Sequence, residues 1–505
     1  MEIDKLKDLI VIGGGINGAG IAADAAGRGL SVLMLEANDL GCATSSASSK
    51  LIHGGLRYLE NYEFSLVRDA LAEREILLKS APHIIIPMRF RMPHCPYLRP
   101  AWIIRIGLFI YDHLKQRVTL PSSKSIRFSE EDSILKSTFL RGFEYSDCWV
   151  DDARLVVLNA QEVLKQGSEI RTRCRVIEAR RQNALWHVTG KNIDNGQLIT
   201  WISKGLVNAT GPWVNIVFDE VLHLHSIYKL RLIKGSHIIL PKIHSQKYAY
   251  ILQNEDHRVV FVLPWMEHFS LIGTTEVEYN DDPHKVRISD EEVMYLLEIC
   301  NKFFKKQFVK QDIIWSYSGV RPLYDDKSNL PQTITRQYTL DINDMNGSTP
   351  LLSVFGGKLT TYRKLAEESL NMLSQYYPSA RPPWTTKNIL PGGDFIGTIE
   401  NYAEDLYNRY NFIDKSLAHR YAYTYGSNSE LILKAKNKLS DLGEYFGHNL
   451  YEAELQYLVD KEWVYEVQDV IWRRTKLALW LNKKEIRRIS EWLTTNRKNT
   501  SFIRL

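Results

Sequence analysis

Gly13-Gly14-Gly15-Ile16-Asn17-Gly18 satisfies the pattern G-x-G-x-x-G, with Gly13, Gly15 and Gly18 as its glycines. It directly follows the apolar run from Asp8 to Ile12 and opens the Ala/Gly-rich stretch from Ile16 to Gly29. A second apolar run, Ser31 to Glu36, comes next, so the pattern predicts a βαβ unit. The first glycine permits a tight turn, the second lets a pyrophosphate approach the backbone, and the third lets helix pack closely on sheet. A helix N-terminus then faces the phosphates. Glu36 ends the second run 23 residues after Gly13. A carboxylate there accepts hydrogen bonds from ribose hydroxyls and disfavours a 2′-phosphate. A glycine-rich turn with no ligand is the plainer alternative, and strand, helix and acid together argue against it.

FAD and NAD share this fingerprint, so three further segments bear on the choice. Ala43 to Tyr58 is small and hydroxylic at Thr44, Ser45, Ser46 and Ser49, then reads His53-Gly54-Gly55-Leu56-Arg57-Tyr58. Small hydroxyl residues can lie close against a phosphate and a ring system. Val207 to Trp213 is a strand running into the turn Thr210-Gly211-Pro212. Phe355-Gly356-Gly357-Lys358-Leu359-Thr360-Thr361-Tyr362 precedes a helical run from Arg363 to about Leu373. Its glycines free backbone amides at a helix N-terminus, where partial positive charge suits the anionic end of a reduced flavin.

The elements that must position these residues belong to a 505-residue chain, which at roughly 100 to 200 residues per domain predicts two or three domains. Hydrophobic residues make up 44% and charged residues 24%, which sets disorder aside, and a net charge of +5 favours anionic partners only weakly. Five scattered cysteines (Cys42, Cys95, Cys148, Cys174, Cys300) contain no C-x-x-C pair, so neither a disulfide framework nor a zinc site is expected and a reducing cytoplasm fits. The Leu9–Ile12 run is too short for a signal peptide core. No run reaches the roughly 18 apolar residues of a membrane span, the nearest, Trp102 to Tyr111, being broken by Arg105 and Gly107. Strand-like runs between about Arg171 and Asn208 turn at Asn195-Gly196. Beyond about Pro391 the spacing is helical, with pairs such as Leu406 and Tyr410, and Leu455 and Leu458.

Five segments resemble the bacterial respiratory FAD-dependent glycerol-3-phosphate dehydrogenases. They are Gly13 to Ala22, Ser48 to Leu59, Asp147 to Leu155, Ser318 to Leu323 and Gly356 to Arg363. The resemblance covers nearly the whole chain and is looser beyond about residue 388. It implies an α/β plus α+β fold like that of D-amino-acid oxidase: a Rossmann-type FAD-binding domain, an antiparallel-sheet substrate domain and a C-terminal all-helical domain. The expected segments are 1–75, 146–225 and 331–387 for FAD binding, 76–145 and 226–330 for the substrate and membrane-facing parts, and 388–505 for the helical domain. The implied reaction oxidises sn-glycerol 3-phosphate at C2 to dihydroxyacetone phosphate, with hydride passing to flavin N5 and electrons to ubiquinone or menaquinone. A homodimer is implied as well.

The resemblance also implies site residues. A phosphate dianion wants guanidinium or clustered cations, and Arg321, Lys358, Arg57 and Tyr58 match the family positions, Arg321 foremost. His237, in Lys234-Gly235-Ser236-His237, matches the family histidine and is assigned as the base for the C2 hydroxyl. Arginines that lower the alcohol's pKa would let another group take that proton, and the developing alkoxide needs positive potential from Arg57, Lys358 or Arg321. By position alone, His237 reads as a structural histidine and Arg321 as a surface charge. His53 either caps a turn or lies beside the flavin. Asp151-Asp152 reads as a helix cap, and no metal is expected.

A quinone-linked enzyme must also reach a bilayer. In Leu98 to Arg117, the residues Trp102, Ile103, Ile106, Ile110 and Leu114 share a helical face with Arg99, Arg105, Lys115 and Arg117 around it. That is the pattern of an interfacial helix on anionic lipid, with a core helix as the equal alternative. The result would be a cytoplasmic protein attached peripherally to the inner membrane face. A second basic group, Arg473-Arg474-Thr475-Lys476 with Lys483, Lys484, Arg487 and Arg488, reads first as a solvated helix face, then as a lipid or subunit contact. The rival functions are a glycerol-3-phosphate oxidase that uses oxygen, an amine- or amino-acid-oxidising flavoenzyme of the same fold, and a flavin-containing RNA binder. The weak basic excess speaks against nucleic acid.

Overall fold

The computed structural model describes residues 6–115, 119–128, 134–325 and 337–496. The apolar runs around the glycine motif form β1 (Leu6–Ile12) and β2 (Val32–Leu35), joined by α1 (Ile16–Gly27). β1 lies parallel to β2 and to the strand Leu198–Asn208, which lies parallel to Ser348–Phe355. The register pairs Ile12 with Leu35 and with Asn208, and Asn208 with Ser353. The glycine motif, Glu36, the Thr210-Gly211 turn and the Gly356-Gly357 turn therefore leave the sheet at one edge, the carboxyl ends of its strands, where open α/β sheets bind ligands.

This first sheet runs Thr339–Met345, Ser348–Phe355, Leu198–Asn208, β1, β2, Glu169–Arg171, with Cys174–Gln182 and Leu185–Asn192 folding off it as antiparallel strands. The Asn195-Gly196 turn joins the last of these to Leu198–Asn208. The small residues of α1 let it pack closely against the helices Asp152–Lys165 and Tyr362–Leu373: a Cβ on Gly20 would stand 2.8 Å from the Tyr362 ring.

The second sheet is mainly antiparallel: Val277–Glu278, Leu230–Pro241, Phe269–Gly273, Val259–Trp265, Ala249–Gln253, Ile85–Pro93, Arg141–Val150, Leu51–Ile52, with Trp315–Tyr324 paired to Leu230–Pro241. The strand Arg141–Val150 belongs wholly to this sheet because Gly142 to Val150 pair with Ile85–Pro93 and Arg141 with Arg127. The second sheet therefore reaches residue 150 rather than 145, and it also takes Leu51–Ile52 from within 1–75. The 330/331 division lies outside the described residues.

Beyond residue 398 come the helices Ile399–Arg409, Lys415–Tyr425, Ser429–Leu433, Glu452–Lys461 and Lys483–Asn496 around their own apolar cluster, which includes Leu406, Leu455 and Leu458. A two-stranded ribbon, Tyr445–Gly447 with Leu450–Tyr451, amends the all-helical expectation.

The basic group of this domain is not a solvated face. Arg474 is fully buried and binds Asp39 (2.7 and 2.8 Å), Arg473 binds Asp39 (2.5 Å) and Asp469, and Lys476 binds Asp151. These cations anchor the helical domain to Asp39 after β2 and to Asp151 at the start of the helix Asp152–Lys165, since a buried charge needs a partner. Lys483, Lys484 and Arg487 remain exposed, and Arg488 pairs with Glu444. Asp151 also caps the helix Asp152–Lys165 through the Arg154 amide (3.1 Å).

Candidate active site

A cavity of about 430 Å³ opens at the sheet edge and runs on between the two sheets. Its wall begins at Glu36 and Val176, passes Gly13 and Gly15, and ends at His237, Arg321 and Lys358. The two ends suit different chemistries.

At the first end, Gly13 has φ +111°, and a Cβ there would stand 2.6 Å from Ala209 O, so the turn admits only glycine. α1 begins at Gly15 with no side-chain cap, which leaves its N-terminal field facing the cavity. Asn17 donates to Gly356 O (3.1 Å), while its Oδ1 is buried with no hydrogen-bond partner. Glu36 accepts from the Gly14 amide (2.6 Å) and the Asn38 amide (2.7 Å); burial raises its pKa, and these amides oppose the rise. Ser45 Oγ accepts from the Ile16 amide (3.0 Å), and Thr44 donates to Val320 O (2.6 Å). Thr210, Gly211, Gly357, Leu359 and Thr360 also line the wall, and Thr360 Oγ1 accepts from the His53 amide (3.2 Å). An unpartnered amide oxygen, a helix start at a glycine facing the cavity and glycines that leave no room for a Cβ fit a dinucleotide.

At the other end, the strand pairing sets Gly235 opposite Gly319 and Ile233 opposite Arg321. A Cβ on Gly235 would stand 2.4 Å from Arg321 Nη2, and one on Gly273 would stand 2.1 Å from the His237 ring, so both glycines make room for a functional side chain. Arg321 donates to Thr275 O (3.2 Å) and pairs with Glu276 (3.5 Å), which also faces Arg57 (3.8 Å). Lys358 Nζ lies 3.9 Å over the Tyr58 ring. His237 Nε2 is 2.9 Å from Ser49 Oγ, its ring stacks on Tyr317 at 4.8 Å, and Nδ1 is enclosed without a partner. Burial holds the His237 pKa well below the ordinary imidazole value, and Arg321 and Lys50 add to the effect. His53 lines the wall too, its pKa lowered chiefly by burial.

The structure leaves five of the expected residues off the wall. Gly18 sits behind the turn, where a Cβ would strike Gly13 O, and Ser46 turns back to Ala43 O (3.4 Å). Gly54 gives its amide to Tyr111 (2.9 Å) and Asp147 (3.3 Å), and Gly55, at φ +74°, shapes the turn under Tyr58. Arg57 stands beside the wall at Glu276. Sequence reading missed Glu276, Thr274, Tyr317 and Gly273. A half-buried guanidinium at Arg321 invites a counter-charge, but only the fold brings Glu276 to it.

The helix Ala101–His113 buries Leu108, Tyr111 and Asp112 and exposes Trp102 (65%), Ile106 (50%) and Phe109 (55%). Its exposed apolar stripe therefore includes Phe109, while Ile103, Ile110 and Leu114 are half-buried. Arg105 is tied to Ser123 (2.8 Å), Arg99 and Lys115 are exposed, and Arg117 lies outside the described residues. Exposed Tyr62 and Phe64 add to the surface's aromatic content, and among the described residues no helix is long and apolar enough to cross a membrane.

Two family models match the chain: FAD dependent oxidoreductase over residues 8–363, and the C-terminal domain of alpha-glycerophosphate oxidase over 384–495. The chain is 64% identical to the aerobic glycerol-3-phosphate dehydrogenase of Escherichia coli K12 over 489 residues, covering 97% of each. It is 46% identical to the D-erythritol 1-phosphate dehydrogenase of Brucella abortus over 488 residues, covering 96% of this chain and 97% of that one. Among solved structures, the glycerol-3-phosphate dehydrogenase of Bacillus halodurans complexed with FAD superposes with a TM-score of 0.75 at 26% identity, covering 98% of this chain and 95% of that one.

Proposed function

This chain belongs to the FAD-dependent oxidoreductases, and from that premise we propose that it oxidises sn-glycerol 3-phosphate to dihydroxyacetone phosphate and passes the electrons to ubiquinone or menaquinone. The observation that carries the substrate is the meeting of Arg321 and Lys358 with the buried imidazole of His237 at one end of the cavity, Arg57 standing beside the wall across Glu276. End-to-end likeness to a glycerol-3-phosphate dehydrogenase supports it.

Gly13, Gly15, Asn17 and Glu36 hold the dinucleotide, with the amides at Gly357 to Thr360 at its far end. Bound FAD supplies the two-electron acceptor for the C2 hydride. Arg321, Arg57 and Lys358 bind the phosphate dianion, and Tyr58 supports Lys358 from below its ammonium. His237 Nε2 takes the proton of the C2 hydroxyl as the C2=O bond forms; Ser49 Oγ steers that nitrogen, since Nδ1 is enclosed. The three cations stabilise the developing alkoxide. The FAD-binding part comprises roughly 1–50, 151–225 and 337–387, the rest of the first 387 residues serving the substrate and the membrane.

A quinone is apolar, so this reading seats the enzyme on the cytoplasmic face of the membrane; its homodimeric state is carried over from the family resemblance alone. The Trp102-Ile106-Phe109 stripe beside Arg99 and Lys115 supports an anionic lipid surface as its seat. The test is anaerobic turnover with a quinone analogue on glycerol 3-phosphate, D-erythritol 1-phosphate and glycine. The expected order places glycerol 3-phosphate first, with Arg321→Ala lowering its kcat/KM by roughly 10². Faster turnover of glycine, or equal activity of the variant, would overturn the assignment.

A further inference from the structure

Glu276 lies behind the phosphate-binding cations, its side chain 8% exposed. Its Oε1 is 3.5 Å from Arg321 Nη1 and its Oε2 is 3.8 Å from Arg57 Nη1. Arg57 comes from the turn Leu56–Asn61 and Arg321 from the strand Trp315–Tyr324, so one carboxylate ties together two guanidiniums from separate elements. Arg321 is held a second time on the same stretch, by Thr275 O. Without an anion between them, two guanidiniums repel and splay.

We propose that Glu276 is the positioning residue of the phosphate site. Its carboxylate sets the spacing of Arg57 and Arg321 before substrate arrives and cancels one of their charges. The inference rests on the phosphate-ester reading above. Because the clamp exists in the free enzyme, the ordering of the two side chains is not charged against binding. Its loss therefore falls on KM rather than on kcat, since Glu276 touches neither the reacting carbon nor the base.

The experiment compares the wild-type holoenzyme with Glu276→Gln and Glu276→Asp, reading KM and kcat for glycerol 3-phosphate, the inhibition constant of inorganic phosphate, flavin content and the thermal midpoint. Glu276→Gln is expected to raise KM and the phosphate inhibition constant together, about tenfold, with kcat within about twofold and flavin content unchanged. Glu276→Asp, which keeps the charge on a shorter stem, is expected to recover part of this, to about threefold, and decides the matter alone if the Gln variant does not fold. Shifts below about twofold in both constants, or a fall in kcat at constant KM, would overturn the proposal. A wild-type enzyme that neither oxidises the substrate nor is inhibited by phosphate would instead sink the phosphate-site reading on which it stands.

Discussion

His237 is packed against Tyr317 and Ser49, and its burial, with the charges of Arg321 and Lys50, disfavours a proton on its ring. With its pKa held below the usual 6.5, the imidazole is neutral and ready to act as a base throughout the neutral range. The pH profile of kcat/KM is expected to be flat from about pH 6.5 to 8, with its acid limb below 6.5; an acid limb centred above 7 would assign it to another group. His237→Gln is expected to lower kcat by roughly 10² to 10⁴ while flavin content holds, and a variant within fivefold of wild type would remove the base from this residue. At this scale part was legible: the glycine motif and Glu36 were named from residue type and spacing, Arg321, Lys358 and His237 only from the family resemblance, and the structure brings all of them to one cavity. Glu276 and Tyr317 were not, because a lone acid in a loop or a lone phenol in a strand carries no local signal. Their partners lie 45 or more residues away and arrive through sheet pairing.

The basic stretch Arg473 to Lys476 shows why element-scale reading failed where residue-scale reading succeeded. Four residues with three cations look like a solvated face, but Asp39 and Asp151, 435 and 325 residues distant from Arg474 and Lys476, turn them into buried anchors. Removing one partner leaves the other charge buried alone. Arg474→Ala is therefore expected to destabilise the protein by about 3–5 kcal/mol in chemical unfolding; a loss below about 1 kcal/mol would mean that the anchor is solvated after all. The helix Ala101–His113 went the other way: its period was read from sequence, but which side faces the core was settled by the burial of its own Leu108 and Tyr111. Ile106→Glu is expected to reduce flotation with anionic vesicles severalfold while leaving turnover with a water-soluble acceptor unchanged. Unaltered flotation would place the lipid contact elsewhere.

Across the whole molecule, two sheets are woven from alternating stretches of one chain, and the candidate site's cavity lies where the carboxyl ends of the first sheet meet the Leu230–Pro241 and Trp315–Tyr324 pair of the second. The order of segments followed from the βαβ opening and the resemblance; the exact crossings did not, since strand pairing between distant segments leaves no period in sequence. Burial on this scale also sets acid stability. His83 and His244 are buried, their pKa values lowered by burial to about 3 and about 4. Below about pH 6.5 the unfolded chain binds protons at these rings that the native state refuses, so stability falls as pH drops from 6.5 toward 4 and is level above it. Thermal midpoints measured across that interval should decline accordingly, and a midpoint that rises toward pH 4 would contradict the burial of these rings. The most direct test of the function is anaerobic mixing of the holoenzyme with glycerol 3-phosphate, followed at the flavin band near roughly 450 nm, with quinone added afterwards. Bleaching by this substrate and recovery on quinone is the predicted result; a band that stays intact with glycerol 3-phosphate but bleaches with an amino acid would contradict the phosphate site and leave only the FAD-binding fold.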